Sequence, residues 1–260
     1  MTFNEGLSPK DYACLVIPNL DYESQLYAIR DLINLHIHME EHVDSDLKAM
    51  KDSEEKYGNL KSDNFITEWE QRVHESVYQS AAYSMAAVGM LSPLMESLFT
   101  HAFEGIREKF FSPQQDNNQH KRWEYIECDK WNCHIAWGTS GRKDDLVRGI
   151  LQLSDAIGLK PFLPSDIEHV LEALFSYRNR MFHHGFEWPL AQRQKYWKRI
   201  NSSRWDKSWF IASTTNEEPW IIYLTDMFIS HCISTIENII ESIGAYVLFQ
   251  QENSQTKMST

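Results

Sequence analysis

Apolar residues in this chain recur at three- and four-residue spacing over stretches long enough that only helices accommodate them. The longest such pattern runs from about Phe65 to Phe111, and Pro93 is the residue able to kink it or split it in two. Within it, Ala81-Ala82, Ala86-Ala87 and Gly89 permit another helix to approach closely. Only 10 glycines and 8 prolines interrupt 260 residues, and strand-like alternation is scarce. The expected fold class is therefore all-α, a bundle of four to five long helices with two insertions.

Boundaries follow from local chemistry. Residues 1–19 read as an irregular arm, followed by a helix from Asp21 to about Lys51 with Leu26, Ile29, Ile33, Ile37 and Leu47 on one side. Gly58 and Ser62-Asp63-Asn64 mark the next turn. Residues 112–141 contain Trp123, Trp131 and Trp137, too aromatic for a linker, and read as an ordered insertion. A helix from Asp144 to Ile157 breaks at Gly158-Leu159-Lys160-Pro161, and Ser165 with Glu168 spells a capping box for a helix over 165–184. Gly185 is placed to end it in the left-handed conformation. A second insertion, 186–218, holds a helix from about Leu190 to Ile200. Glu217-Glu218-Pro219 is expected to start the last helix, with Ile222, Met227 and Ile229 on its apolar sides. The organisation expected is an N-terminal arm and helix over 1–61 packed on the bundle, a helical domain over 62–250, and a frayed tail over 251–260.

The N-terminus lacks a basic region followed by an apolar one, so no signal peptide is expected. The most apolar segment, Trp220 to Phe249, carries Asp226, His231, Glu237 and Glu241, which predicts a core helix and no membrane partner. Cys14, Cys128, Cys133 and Cys232 form no repeating framework, consistent with a reducing cytoplasmic setting. A net charge of −12 argues against nucleic acid as a partner, yet its distribution reverses that argument. Between Arg178 and Lys207 stand eight basic residues against two acidic ones, Glu187 and Asp206. Such an island is a local anion site. Trp188, Tyr196, Trp197, Trp205 and Trp209 are interleaved with it, either as a surface that stacks bases or as packing for an insertion whose cations face water.

The island begins at Arg178-Asn179-Arg180-Met181-Phe182-His183-His184-Gly185. From Ile167 onward Val170, Leu171, Leu174, Phe175, Met181 and Phe182 define one helical stripe, and Arg178 lies about 20° from its centre. A cation there must meet an anion, a carboxylate or another subunit, because an unpaired buried charge is too costly to keep. His183 and His184 occupy the last turn, where the helix dipole favours an imidazolium and proton transfer is feasible. Basic residues also stand in last turns simply to satisfy free carbonyls.

This segment resembles the signature of the HEPN superfamily: Arg, a polar residue, a short spacer, then His. Arg178, Asn179 and His183 fit with four intervening residues, and His184 fits with five. Arg30 and His36 also match the loose spacing, but an Arg followed directly by Asn with His at the first spacing has a chance expectation of roughly 0.02. The likeness is firm over about residues 165–185 and extends as a helix pattern over 62–250. It implies a HEPN-like bundle and a metal-independent endoribonuclease without cofactors, whose nucleophile is the ribose 2′-hydroxyl, of the kind found in toxin and antiphage systems.

On the same resemblance, His183 or His184 acts in proton transfer, Arg178 neutralises the phosphorane-like transition state, and Asn179 orients the phosphate or the imidazole. On a straight helix Arg178 and His183 point about 140° apart, so a homodimer joining two motifs would complete the site. RNA is the expected partner, held by Arg180, Arg193, Lys195, Lys198, Arg199 and Arg204, with an antitoxin as a further partner of such a toxin. The rival readings are a non-catalytic HEPN-like module that binds RNA, a nucleotide or a protein, and a purely structural helical protein in which Arg178 pairs with an internal carboxylate.

Other chemical signals are weaker. His38-Met39-Glu40-Glu41-His42 matches a short zinc pattern, but no third ligand is indicated. Cys128, Cys133 and His134 lack the spacing of a paired knuckle. Glycine-rich phosphate loops, nucleophile elbows and dinucleotide fingerprints are absent from the sequence.

Overall fold

A computed structural model describes residues 6–57, 63–111, 120–124, 127–139, 141–202 and 204–258. Gly58, Ser62, residues 112–119 of the first insertion and Ser203 of the second lie outside the described residues, as do the side chains of Glu40, Leu47 and Cys128. The elements in order are α1 (Pro9–Ala13), α2 (Tyr22–Tyr57), α3 (Asp63–Phe110), α4 (Glu127–Lys130), β1 (Ile135–Gly138), β2 (Gly141–Asp144), α5 (Leu146–Ile157), α6 (Ile167–His184), α7 (Leu190–Ile200), β3 (Phe210–Thr215), β4 (Glu218–Leu224) and α8 (Asp226–Met258). The protein is mostly helical.

Several boundaries differ from the sequence expectation, each for a local reason. The N-terminal arm contains α1, because Ser8 and Asp11 form a reciprocal capping box: Asp11 N–H donates to Ser8 Oγ at 3.3 Å and Ser8 N–H to Asp11 Oδ2 at 2.8 Å. Helix α6 begins at Ile167 after a turn through Ser165 and Asp166, so the Ser165 and Glu168 pair is one residue out of register for a box. The stretch at Pro93 stays within α3; proline removes the N–H that would reach Gly89, while Ser92 Oγ donates to Val88 O at 2.5 Å. Residues 251–258 continue α8 instead of fraying.

Glu217-Glu218-Pro219 does not start a helix. Asn216 (φ 52°) and Glu217 (φ 65°) make a two-residue turn with both centres left-handed, and Glu218–Leu224 returns antiparallel to Phe210–Thr215. The run Trp220-Ile221-Ile222-Tyr223-Leu224 is aromatic and β-branched, and periodicity cannot separate such a short apolar run from a buried helical turn. Thr225 then caps α8, its Oγ1 accepting from Phe228 N–H at 3.2 Å. Ile222 therefore belongs to a strand, and Met227 is exposed. The first insertion also carries a hairpin, with Ile135 opposite Asp144 and Gly138 opposite Gly141.

Two compact units alternate along the chain. The first comprises Met1–Tyr22, Pro93–Glu172 and Cys232–Thr260. Its buried residues include Leu94, Leu98, Phe99, Phe103 and Ile106 of α3, Ile150 and Leu153 of α5, and Ile236, Ile240 and Ile243 of α8. Each such side chain is worth about 1.5–3 kcal/mol when removed from water. Tyr246 Oη donates to Ile157 O at 2.8 Å. The Asp226–Gln255 stretch of α8 is long and apolar enough to cross a membrane by length and composition, and 56% of its most apolar window is buried within the protein. In the first insertion Phe111, Trp123 and Trp131 pack with ring centroids 5.1–6.3 Å apart, so its described residues are ordered around an aromatic core.

The second unit comprises Glu23–Ser92 and Ala173–His231 and contains the C-terminal turns of α6. Tyr177, buried on α6, donates to Ile222 O at 3.0 Å, and Ser84 Oγ of α3 accepts from Leu224 N–H at 2.9 Å. Two polar bonds thereby fix the β3–β4 hairpin to α6, which carries the motif, and to α3.

Candidate functional site

The motif sits where α6 stops. Gly185 adopts φ 68° and its N–H closes on Met181 O at 2.9 Å, so His183 and His184 occupy the last turn, both exposed. The indole of Trp188 donates to Gly185 O at 2.9 Å, which holds the chain as it leaves the helix. The buried face of α6 is narrower than the expected stripe: Met181 is buried, whereas Phe182 is 56% exposed and lies against Gly89 of α3.

Arg178 is half-buried and Asn179 exposed. The side chain of neither forms a hydrogen bond or ion pair with the described residues, and the same is true of the His183 and His184 rings. An internal carboxylate for Arg178, the mark of the purely structural reading, is not found among them. Arg180 is engaged, its Nη1 donating to Gln192 Oε1 of α7. The site thus comprises one anchored cation and four unengaged polar side chains at a helix C-terminus.

The basic island divides in two. Lys195, Lys198 and Arg204 are exposed. Arg193 and Arg199 are tethered: Arg193 Nη1 donates to Trp220 O at 3.0 Å, and Arg199 Nη1 donates to Ser176 Oγ at 3.2 Å while its guanidinium lies 4.3 Å from the Trp205 ring centroid. Four of the five interleaved aromatics are packing and not a stacking surface, and Trp197 alone among them is half-exposed. Trp188, Tyr196, Trp205 and Trp209 are buried, and Trp188, Tyr196 and Trp205 pack with Tyr177 and Phe210 at centroid distances of 5.0–5.9 Å. Burial of these large rings outweighs any gain from keeping them in water for a ligand. It also pushes the phenols of Tyr177 and Tyr196 far above their ordinary range.

A different ring set is accessible beside the motif. Tyr78 of α3, Phe186 and Trp220 of β4 are half-exposed, and His74 is exposed. Trp220 lies 5.5 Å edge-on from Tyr78 and 5.0 Å from His74, and Phe186 lies 6.3 Å from Tyr78. Tyr78 Oη donates to Glu187 Oε1, and this bond to a carboxylate raises the phenol above its usual range. Sequence reading missed this cluster, since Tyr78 and Trp220 are remote from the motif in the chain; only Phe186 and Glu187, directly after Gly185, were in view.

Two cavities lie elsewhere. One of about 490 Å³ is lined by Leu35, Met39, Ser76 and the stacked pair His36 and Tyr83, whose centroids are 3.5 Å apart. The other, about 580 Å³ and in the first unit, is lined by Lys121, Arg122, Trp137 and Gln152. Arg122 is buried and donates to the carbonyls of Lys130, Asn132 and Ile135 at 2.6, 2.7 and 3.2 Å; burial lowers its guanidinium to about 10. Of the zinc pattern, His38 and His42 are exposed on α2, with His38 Nδ1 3.4 Å from Glu41 Oε2. Comparison with protein-family models, curated proteins and solved structures gives no match.

Proposed function

We propose that this protein is a metal-independent endoribonuclease of the HEPN type, cleaving RNA at a composite site between two copies of the chain. The observation that carries the reading is the unengaged set Arg178, Asn179, His183 and His184 at an exposed helix end, at the spacing this chemistry uses. Such a residue set is poorly explained by stability, because a half-buried guanidinium without a carboxylate contributes little to a core. It is well explained by a phosphate. In the reaction, the 2′-hydroxyl loses its proton to an imidazole and attacks phosphorus. The P–O5′ bond breaks, the 5′-oxygen takes up a proton, and a 2′,3′-cyclic phosphate and a 5′-hydroxyl remain. Arg178 stabilises the charge that develops on the non-bridging oxygens.

The two-fold arrangement is supported by α6 itself. Arg178 and His183 diverge by about 140° on a helix, and Phe182 between them offers an exposed aromatic surface beside the motif. Cytoplasmic location, a role in toxin or phage defence and an antitoxin partner belong to the same proposal. The direct test is incubation of purified protein with single-stranded RNA in EDTA. Cyclic-phosphate ends are expected, and intact RNA at high protein concentration would remove the enzymatic reading in favour of a binding module.

Backbone binding should fall to the exposed lysines. Lys195→Glu with Lys198→Glu is expected to weaken RNA binding and to reduce the slope of log affinity against log salt by about 1.4, the loss of two single-strand phosphate contacts. An unchanged slope would assign α7 to structure alone. Arg193 and Arg199 are unsuitable for this test, because their internal hydrogen bonds would be lost at the same time.

A further inference from the structure

We propose that Glu187, held by Tyr78 and flanked by Phe186 and Trp220, reads a guanine base in the RNA strand whose phosphate meets Arg178 and His183. The inference rests on the ribonuclease reading above and names its base preference. Of the two acidic residues in the basic island, Asp206 is occupied by its own turn, where its Oδ1 accepts from Ser208 N–H at 2.9 Å and from Ser208 Oγ at 2.6 Å. Glu187 caps no helix. It is exposed, yet the Tyr78 hydroxyl fixes Oε1 and thereby aims the carboxylate.

A carboxylate only accepts hydrogen bonds. Among the described residues nothing bonds Oε2, and Oε1 keeps a second lone pair beside the Tyr78 bond. Among the four RNA bases, guanine alone presents two adjacent donors, N1–H and the N2 amine, on its Watson–Crick edge. Adenine, cytosine and uracil each place an acceptor beside their donor, which a carboxylate repels. The rings supply the platform: Tyr78, Trp220 and Phe186 meet edge-on or tilted, so none covers another by face-to-face stacking, and a base can lie on them. Arg193, bonded to Trp220 O, adds positive charge to the strand that carries this ring. Glu187 follows His183 by four residues, at most about 14 Å of chain, so base and scissile phosphate can belong to one short strand.

The test is fluorescence anisotropy with 2′-O-methyl oligoadenylate carrying one guanosine, one inosine or neither, so that cleavage cannot interfere. Wild type should bind the guanosine strand on the order of tenfold more tightly than oligoadenylate, with inosine, which lacks the N2 amine, between them. Glu187→Gln should erase the preference, because its amide turns a donor toward guanine's donors. Tyr78→Phe keeps the ring, releases the carboxylate and should reduce the preference. Trp220→Ala should weaken both strands alike, on the order of tenfold, since stacking is sequence-tolerant. No guanosine preference in wild type, a preference that survives Glu187→Gln, or free GMP binding as tightly as the strand would each overturn the proposal. Cleavage of unmodified RNA in EDTA is scored separately. Cleavage without base preference removes the guanine subsite and keeps the ribonuclease, whereas guanine-selective binding without cleavage keeps the subsite and removes the ribonuclease.

Discussion

Alanine at His183 is expected to lower RNA cleavage in EDTA by about two to four orders of magnitude, the usual contribution of a positioned proton-transfer group. The side chain is exposed and without partners among the described residues, so circular dichroism and thermal melting should not change. Arg178→Ala should give a comparable loss by removing the charge that offsets the transition state. Mixing the two inactive variants then reads the architecture. If each site takes its arginine from one chain and its histidine from the other, a mixed dimer holds one intact site and one doubly damaged site. Activity would recover to as much as roughly half that of wild type per dimer. If both residues of a site come from one chain, or if both copies of each are needed together, mixing restores nothing. Full activity of Arg178→Ala, or of both histidine variants, would end the assignment of this motif as catalytic. Should His184→Ala inactivate the protein while His183→Ala does not, the proton-transfer role passes to that imidazole.

The second large effect concerns stability and lies far from the motif in the chain. Alanine normally improves a helix interior over glycine by about 1 kcal/mol. At Gly244 of α8 the sign should reverse, because the added Cβ would stand 1.7 Å from Pro9 O, and at Gly149 of α5 it would stand 2.0 Å from Cys133 O. Backbone carbonyls cannot step aside as side-chain ends do, so α1 or the β1 strand start must move. Each substitution should cost more than about 2 kcal/mol, within the range for overpacking. Gly89→Ala is the internal control: its Cβ meets the mobile edge of Phe182 at 3.4 Å, and its effect should stay near zero or be favourable. Denaturant melts of the three variants provide the comparison. Stabilisation by Gly244→Ala would mean that α1 and α8 do not touch as described.

Helices whose signals are local were readable from residue order alone. The stop at Gly185, the span Leu190–Ile200 and the length of α3 were legible because a glycine, an amphipathic turn or an unbroken 3.6-residue period acts within a few residues. The order Arg178, Asn179, His183 was legible for the same reason. Tertiary structure decided everything that depends on a remote partner. Whether Trp220–Leu224 became strand or helix was settled by its ladder with Phe210–Thr215. Trp188 and Trp205 went inward because Tyr177 of α6 and Phe210 of β3 joined them and Tyr196 in one ring cluster, while Trp209 packed on Phe228. Glu187 acquired an aimed carboxylate only because the fold brought Tyr78, 109 residues earlier, within hydrogen-bonding reach. Periodicity records which face of an element is apolar; it carries no record of what that face will meet.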